Sequence, residues 1–75
     1  MQLSDVLVHV SDKTSGVEKS HLVNQLRDLN GVIAPWFTEH REHLLLVSYN
    51  SDAIAALSLL NEVQQNGYHA QLLGM

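Results

Sequence analysis

A helix that is capped at its start and stopped at its end constrains the fold of this chain more than any other feature. Ser15 and Glu18 stand at the Ser-x-x-Glu spacing of a capping box, in which each side chain accepts a hydrogen bond from the backbone amide of the other residue. Gly31 follows an asparagine and supplies the left-handed residue at which such helices stop. We therefore predict a helix over Gly16–Leu29. Its apolar stripe consists of Leu22, Leu26 and Leu29.

Four segments have the pattern of β-strands. Residues 3–10 alternate between valine and other residues, which predicts a strand with one face on the core. Residues 32–38 contain Pro35, and because proline cannot donate to a ladder, we expect this second strand at a sheet edge. Residues 43–49 are strongly apolar and predict a central third strand, and residues 68–73 predict a short fourth strand.

A second helix is expected between the third and fourth strands. Asn50, Ser51 and Asp52 offer three N-caps, and Asn66-Gly67 repeats the left-handed stop. The pattern predicts a helix over about Asp52–Asn66, with a broad apolar face.

The resulting order is βαββαβ. Two right-handed crossovers put both helices on one face of a four-stranded antiparallel sheet, which is the ferredoxin-like α+β plait. In this plait the strands lie in the order last, first, third, second, so the strand with Pro35 falls at an edge, as its proline requires. The expected core contains Val8, Leu22, Leu26, Leu29, Val47, Leu60, Val63 and Ala70.

Length and composition indicate one domain, residues 1–75, with 45% hydrophobic residues. A net charge of −4 with only four basic residues argues against nucleic acid as a partner. No apolar run approaches the ~20 residues of a membrane helix, and the N-terminus lacks a signal-peptide pattern, so we expect a cytoplasmic protein that does not contact a membrane. The absence of cysteine excludes a disulfide and a thiolate metal site.

The segment around the first helix resembles the heavy-metal-associated, copper chaperone-like domains. In that family the first loop carries Met-x-Cys-x-x-Cys, and the first helix ends Leu-x-x-Leu-x-Gly-Val. Counted back from Gly31, the family's cysteines fall on Ser15 and Glu18, and its methionine falls on Lys13. The resemblance therefore implies a metal-homeostasis protein that has lost its thiolate Cu(I) site.

The resemblance continues through nearly the whole chain. The family's third-strand tyrosine matches Tyr49, and its Gly-Tyr-x-Ala signature matches residues 67–70. These matches imply the same ferredoxin-like fold. They say less about function, because the residues that define the family's chemistry are the ones that differ.

Ser15 and Glu18 cannot replace two thiolates as ligands for Cu(I), because hydroxyl and carboxylate oxygens are hard donors. Their simplest role is to cap the helix. Alternatively Glu18 is a metal ligand together with His21, which follows at a Glu-x-x-His spacing on the same side of the helix. Two ligands are too few, so others would have to come from elsewhere in the fold.

Five histidines are the one excess in the composition. We expect His9 and His69 on neighbouring antiparallel strands, opposite each other on the open face of the sheet, where two imidazoles can share a Cu, Zn or Ni ion. His40 and His43 form a second candidate pair in the hairpin between the second and third strands, which we expect at the far end of the sheet. Either pair is alternatively a set of surface histidines without a ligand.

Catalytic patterns are lacking. The chain has no Ser-His-Asp order, no glycine-rich phosphate loop and no arginine in its first loop, which the acylphosphatases of the same fold require. We therefore expect a protein that is not an enzyme.

The open face of the sheet is the remaining candidate site. By strand alternation it should carry several apolar side chains, and contiguous exposed apolar area usually marks an interaction site. The alternative function is therefore an interaction module that binds a protein partner, or itself as a weak homodimer, without a metal. A third alternative is a regulatory domain like the cytoplasmic ends of cation-efflux transporters. The predicted interface residues are Leu7, Leu44, Leu46, Trp36 and Leu73.

Overall fold

The structure is a computed structural model that describes residues 1–74. Its sheet has the order β2-β3-β1-β4, and each neighbouring pair of strands is antiparallel. The predicted βαββαβ plait and its strand order are confirmed. The elements are β1 (Leu3–Val10), α1 (Gly16–Arg27), β2 (Val32–Phe37), β3 (Leu44–Asn50), α2 (Ala56–Gln65) and β4 (Ala70–Gly74).

One face of the sheet and the inner faces of both helices form the core. Of the expected core residues, Val8, Leu22, Leu26, Val47 and Val63 are fully buried. The other three are partly buried and pack against that cluster: Leu29, Leu60 and Ala70. Burial of these apolar side chains is the main term that stabilises a domain of this size.

The first helix begins as its sequence predicts. The backbone amide of Glu18 donates to Oγ of Ser15 over 3.1 Å, and the amide of Ser15 donates to Oε1 of Glu18 over 3.0 Å, so the capping box is complete. The helix ends at Arg27 rather than Leu29. Its last turn tightens there, because the amide of Leu29 donates to the carbonyl of Leu26.

Gly31 ends this segment with a φ of +102°, in the left-handed region. A Cβ built on Gly31 would lie 2.9 Å from side-chain atoms of Ala53 and Ile54. Glycine is therefore required here for two reasons, backbone conformation and lack of space.

The second helix begins at Ala56, and the prediction of a start at Asp52 is wrong. Asn50 does not cap a helix. Its Oδ1 accepts from the amides of Gln2 and Asp52, while its carbonyl accepts from the amide of Ile54. These bonds hold residues 51–53 in a turn, and the helix then starts at Ala56, with Ala55 as an N-cap residue that makes no side-chain hydrogen bond.

Strand β2 lies at one edge of the sheet, as Pro35 predicts. The amide of Thr38 donates across to the carbonyl of Leu44 in β3. Successive residues of a strand point their amides in opposite directions, and Pro35 lies three residues before Thr38. The nitrogen of Pro35 therefore faces away from β3, and no hydrogen bond between the two strands is lost.

Candidate metal centre

His9 and His69 do not lie opposite each other, so this part of the prediction is wrong. The register of β1 with β4 pairs His9 with Gln71. His69 comes just before β4, where its carbonyl accepts from the amide of Ser11. The side chain of His69 is 86% exposed.

Asp12 binds His69 instead. Its Oδ2 accepts from the backbone amide of His69, and its Oδ1 lies 3.2 Å from Nδ1 of the same residue. These hydrogen bonds, first that from the amide and then that from the ring, lower the pKa of the Asp12 carboxyl from its usual 3.8. The carboxylate thus ties the first loop to the start of β4 and occupies one imidazole nitrogen of His69.

His9 and His43 are the two histidines that the fold brings together. Their ring centroids are 5.7 Å apart, with the ring planes tilted by 33°. Strand β1 ends where β3 begins, since their register pairs His9 with Leu44. The turn before β3 therefore lies at the same end of the sheet as His9, and the prediction that it lies at the far end is wrong.

The ring of His43 is fixed by a bond to the backbone. Its Nδ1 lies 2.8 Å from the carbonyl oxygen of Val10, and the amide of Val10 donates to the carbonyl of His43 over 2.8 Å. A carbonyl can only accept, so Nδ1 carries the hydrogen. In the neutral ring the free lone pair is then on Nε2. Histidines that bind metals usually have this arrangement, with one nitrogen bonded to a carbonyl or carboxylate and the other on the ion.

His9 has a different peculiarity. Its Nδ1 is buried and has no hydrogen-bond partner, and it is the one side-chain nitrogen or oxygen of which this is true within residues 1–74. A buried polar atom left unpaired costs about 1–3 kcal/mol. A half-buried imidazole with an unsatisfied nitrogen thus stands beside a second imidazole with a free nitrogen.

The other predicted ligands are Glu18, His21 and His40. Ser15 and Glu18 are bound to each other in the capping box, and His21 and His40 are exposed. Within residues 1–74, no three or more histidine, aspartate or glutamate side chains are grouped so that they could hold a metal ion.

Tyr68 stands beside the first loop. The pKa of its hydroxyl is raised from 10.0, first by burial and then by the negative charges of Glu18 and Asp12. Its ring packs against the core. Because its pKa lies above 10.0, the hydroxyl stays protonated at neutral pH.

The apolar face opposite the helices has the side chains that strand alternation predicts. Leu45, Val47 and Tyr49 of β3 are buried on the core side, whereas Leu44 and Leu46 are only half-buried on the open side. Leu46 lies between two cross-strand neighbours, Leu7 of β1 and Trp36 of β2. Trp36 is 42% exposed and Leu73 is 50% exposed. The role of this face as an interface stays a prediction.

A groove between α1 and β2 was not predicted. It has a volume of about 440 Å³ and is open to solvent. Nζ of Lys19 lies 5.3 Å from the centre of the Phe37 ring at this groove. The i, i+4, i+8 spacing of Lys19, Val23 and Arg27 was the signal that could have indicated it. Its lining residues are Lys19, Ser20, Val23, Asn24, Arg27, Pro35, Trp36 and Phe37.

No protein-family model matches this chain, and no curated protein matches it. Solved structures do. The N-terminal domain of a potential copper-translocating P-type ATPase from Bacillus subtilis, in its Cu(I)-loaded state, has a TM-score of 0.86 at 19% identity, covering 97% of this chain and 90% of that one. The copper-binding domain of HMA7, a P-type ATPase, has a TM-score of 0.84 at 17% identity, with 93% of each chain covered. Oxidized MerP from Ralstonia metallidurans has a TM-score of 0.83 at 14% identity, covering 95% of this chain and 97% of that one.

The chain has the ferredoxin-like fold of the heavy-metal-associated domains. Two of these neighbours are named for copper. The chain itself has no cysteine, and the two side chains at the expected cysteine positions, Ser15 and Glu18, offer oxygen atoms that already bind backbone amides. This donor set does not fit Cu(I), which prefers sulfur ligands. No helix within residues 1–74 is long and apolar enough to cross a membrane.

Proposed function

We propose that this protein is a small metal-homeostasis domain that binds a borderline divalent ion through imidazole instead of Cu(I) through thiolate. The observation that carries the proposal is the pairing of His9 with His43. Zn²⁺, Ni²⁺ and Cu²⁺ all accept imidazole nitrogen, so the ions of interest are these three. In this proposal the protein binds a metal ion in the cytoplasm and does not catalyse a reaction.

The distance between the two rings suits a shared ion. An imidazole nitrogen lies about 2.0–2.1 Å from a bound Zn²⁺, which places each ring centroid roughly 3.2 Å from the ion. Two rings on one ion therefore have centroids no more than roughly 6.4 Å apart. The observed 5.7 Å between the ring centroids of His9 and His43 falls inside that limit.

The geometry favours His43 over His69 as the partner of His9. Nδ1 of His69 lies next to the carboxylate of Asp12. His69 also precedes Gln71, the residue that pairs with His9, by two positions. His43 already has the bond to a carbonyl that orients a ligating ring, and its second nitrogen is free of any hydrogen bond among the described residues.

The test is a titration of the apo protein with Zn²⁺, Ni²⁺ and Cu²⁺, followed by the NMR signals of the histidine rings. We expect the ring signals of His9 and His43 to shift or broaden first, at substoichiometric metal. His9→Gln and His43→Gln should each remove the response, whereas the control variants His40→Gln and His69→Gln should keep it. A response carried by His69 with His43 unaffected would contradict the assignment, and no response of any ring would overturn the proposed function.

A second candidate function is an interaction module that uses the open sheet face without a metal. It is favoured by the half-exposed cluster of Leu46 with Leu7 and Trp36, since exposed contiguous apolar surface is uncommon on small monomers. Leu46→Asp puts a charge in the middle of this cluster and separates the two functions. Assembly of the wild type without metal that is lost in this variant supports the interaction module.

A further inference from the structure

We propose that His9 and His43 are half of a metal site, and that a second copy of this chain supplies the other half across the open face of the sheet. The inference rests on the proposed function, because it assumes that this pair binds an ion. It adds the partner and the stoichiometry, one ion for two chains.

The number of ligands is the first reason. A structural Zn²⁺ site has four protein ligands in a tetrahedron. His9 and His43 supply two, and no third histidine, aspartate or glutamate joins them within residues 1–74. An isologous dimer brings the same pair from both copies, which makes four imidazoles around one ion.

The position of the pair is the second reason. His9 lies on β1, one of the two central strands, with Leu44 and Gln71 as its neighbours on either side. Two sheets that pack face to face are about 10 Å apart, so side chains of both must reach a mid-plane ~5 Å from each sheet. An imidazole on a strand has about that reach. Because Nδ1 of His9 is buried, Nε2 is the nitrogen of His9 that would bind an ion lying between two sheets.

The character of the surrounding face is the third reason, because it fits a second copy of itself. Asp5 is the one residue with a full charge on the open face of the four strands, and its Oδ1 is bound by Oγ of Ser48 over 2.6 Å. Leu7 and Leu46 lie between this polar pair and the histidines. Two such faces can meet with apolar side chains in contact and with little repulsion between like charges.

The experiment measures sedimentation of the full chain, at micromolar to millimolar concentration, with ZnCl₂ alone and then with excess EDTA. We expect Zn²⁺ to double the sedimenting mass at one ion per two chains, and EDTA to restore the starting mass. His9→Gln and His43→Gln should lose this doubling, and the control variants His40→Gln and His69→Gln should keep it. The reversal by EDTA is measured on the wild type, so the test does not depend on how a variant folds.

Three other outcomes overturn the inference, and they separate it from the proposed function. One Zn²⁺ per chain on a monomer, with shifted ring signals of His9 and His43, refutes the shared site and leaves the proposed function standing. A dimer that is equally populated with EDTA refutes the requirement for metal. No ring response and no change in mass refutes both proposals.

Discussion

Nδ1 of His43 donates to the carbonyl of Val10 over 2.8 Å, and this bond determines which nitrogen of His43 is free to bind an ion. The bond joins the turn before β3 to the last residue of β1. It also holds the ring of His43 near that of His9, 5.7 Å away between centroids. A backbone carbonyl thus fixes the ring of His43 and leaves its Nε2 without a hydrogen bond among the described residues.

Removal of either ring should weaken metal binding strongly. We expect His43→Ala to lower the affinity for Zn²⁺ by at least about tenfold, since even loss of a residue that only orients a metal ligand costs about 10–100-fold. Competition with a chromophoric Zn²⁺ chelator measures the change. His40→Ala is the matched control, because His40 is an exposed histidine of the same connection between β2 and β3. Equal affinities of the two variants would contradict the site.

Cu(I) should bind this protein far more weakly than it binds proteins with a Cys-x-x-Cys loop. Only imidazole, thioether and oxygen donors are present in the sequence. In an equimolar mixture with a strong Cu(I) chelator, the copper should remain on the chelator. Copper retained by the protein would show that a soft site exists that the donor set does not explain.

Gly31→Ala should destabilise the fold more than Gly67→Ala. Both glycines have a left-handed φ, +102° and +96°, which costs about 1–2 kcal/mol for any other residue. Only Gly31 lacks room for a Cβ, which would lie 2.9 Å from Ala53 and Ile54, whereas nothing lies within 4 Å of a Cβ at Gly67. Urea unfolding of both variants measures the free energy of unfolding, and equal losses would show that the contact with residues 53–54 is unimportant.

The hydrogen bonds between Asp12 and His69 should make the free energy of unfolding depend on pH in the acidic range. The pKa of Asp12 is lowered in the folded state, first by the amide of His69. A lowered folded pKa adds stability above the unfolded value of 3.8, and this contribution is lost as the pH falls through the folded value. Asp12→Asn should therefore reduce the loss of stability below about pH 4, measured by urea unfolding at several pH values. An unchanged pH profile would contradict the bond in solution.

Leu46→Asp should abolish any self-association and leave folding nearly unchanged. Leu46 is half-buried on the open face, so a carboxylate there remains in contact with water in the monomer but not between two sheets. Sedimentation shows the assembly, and thermal unfolding shows the stability of the monomer. Leu45→Asp is the contrasting variant, since Leu45 is fully buried and its replacement by a charge should unfold the chain.

Local patterns determined most of the fold from the sequence alone. The capping box of Ser15 and Glu18 involves residues within one helical turn, and the alternating valines of β1 need only the period of a strand. Pro35 identified an edge strand because its missing amide acts wherever the strand lies. Each of these signals is complete within a few residues, and the tertiary contacts of the fold agree with each of them.

The tertiary structure decided what depends on partners far away in the chain. Asparagine is a common N-cap residue, but the side chain of Asn50 accepts from the amides of Gln2 and Asp52 instead. Helix α2 starts later for that reason. The partner of each histidine was decided in the same way. A carboxylate in the first loop binds His69, and the register of β1 with β3 places His43 beside His9. A shift of two residues along a strand moves a side chain by about 7 Å, more than the reach of a shared ion, and no short-range pattern in the sequence specifies that register.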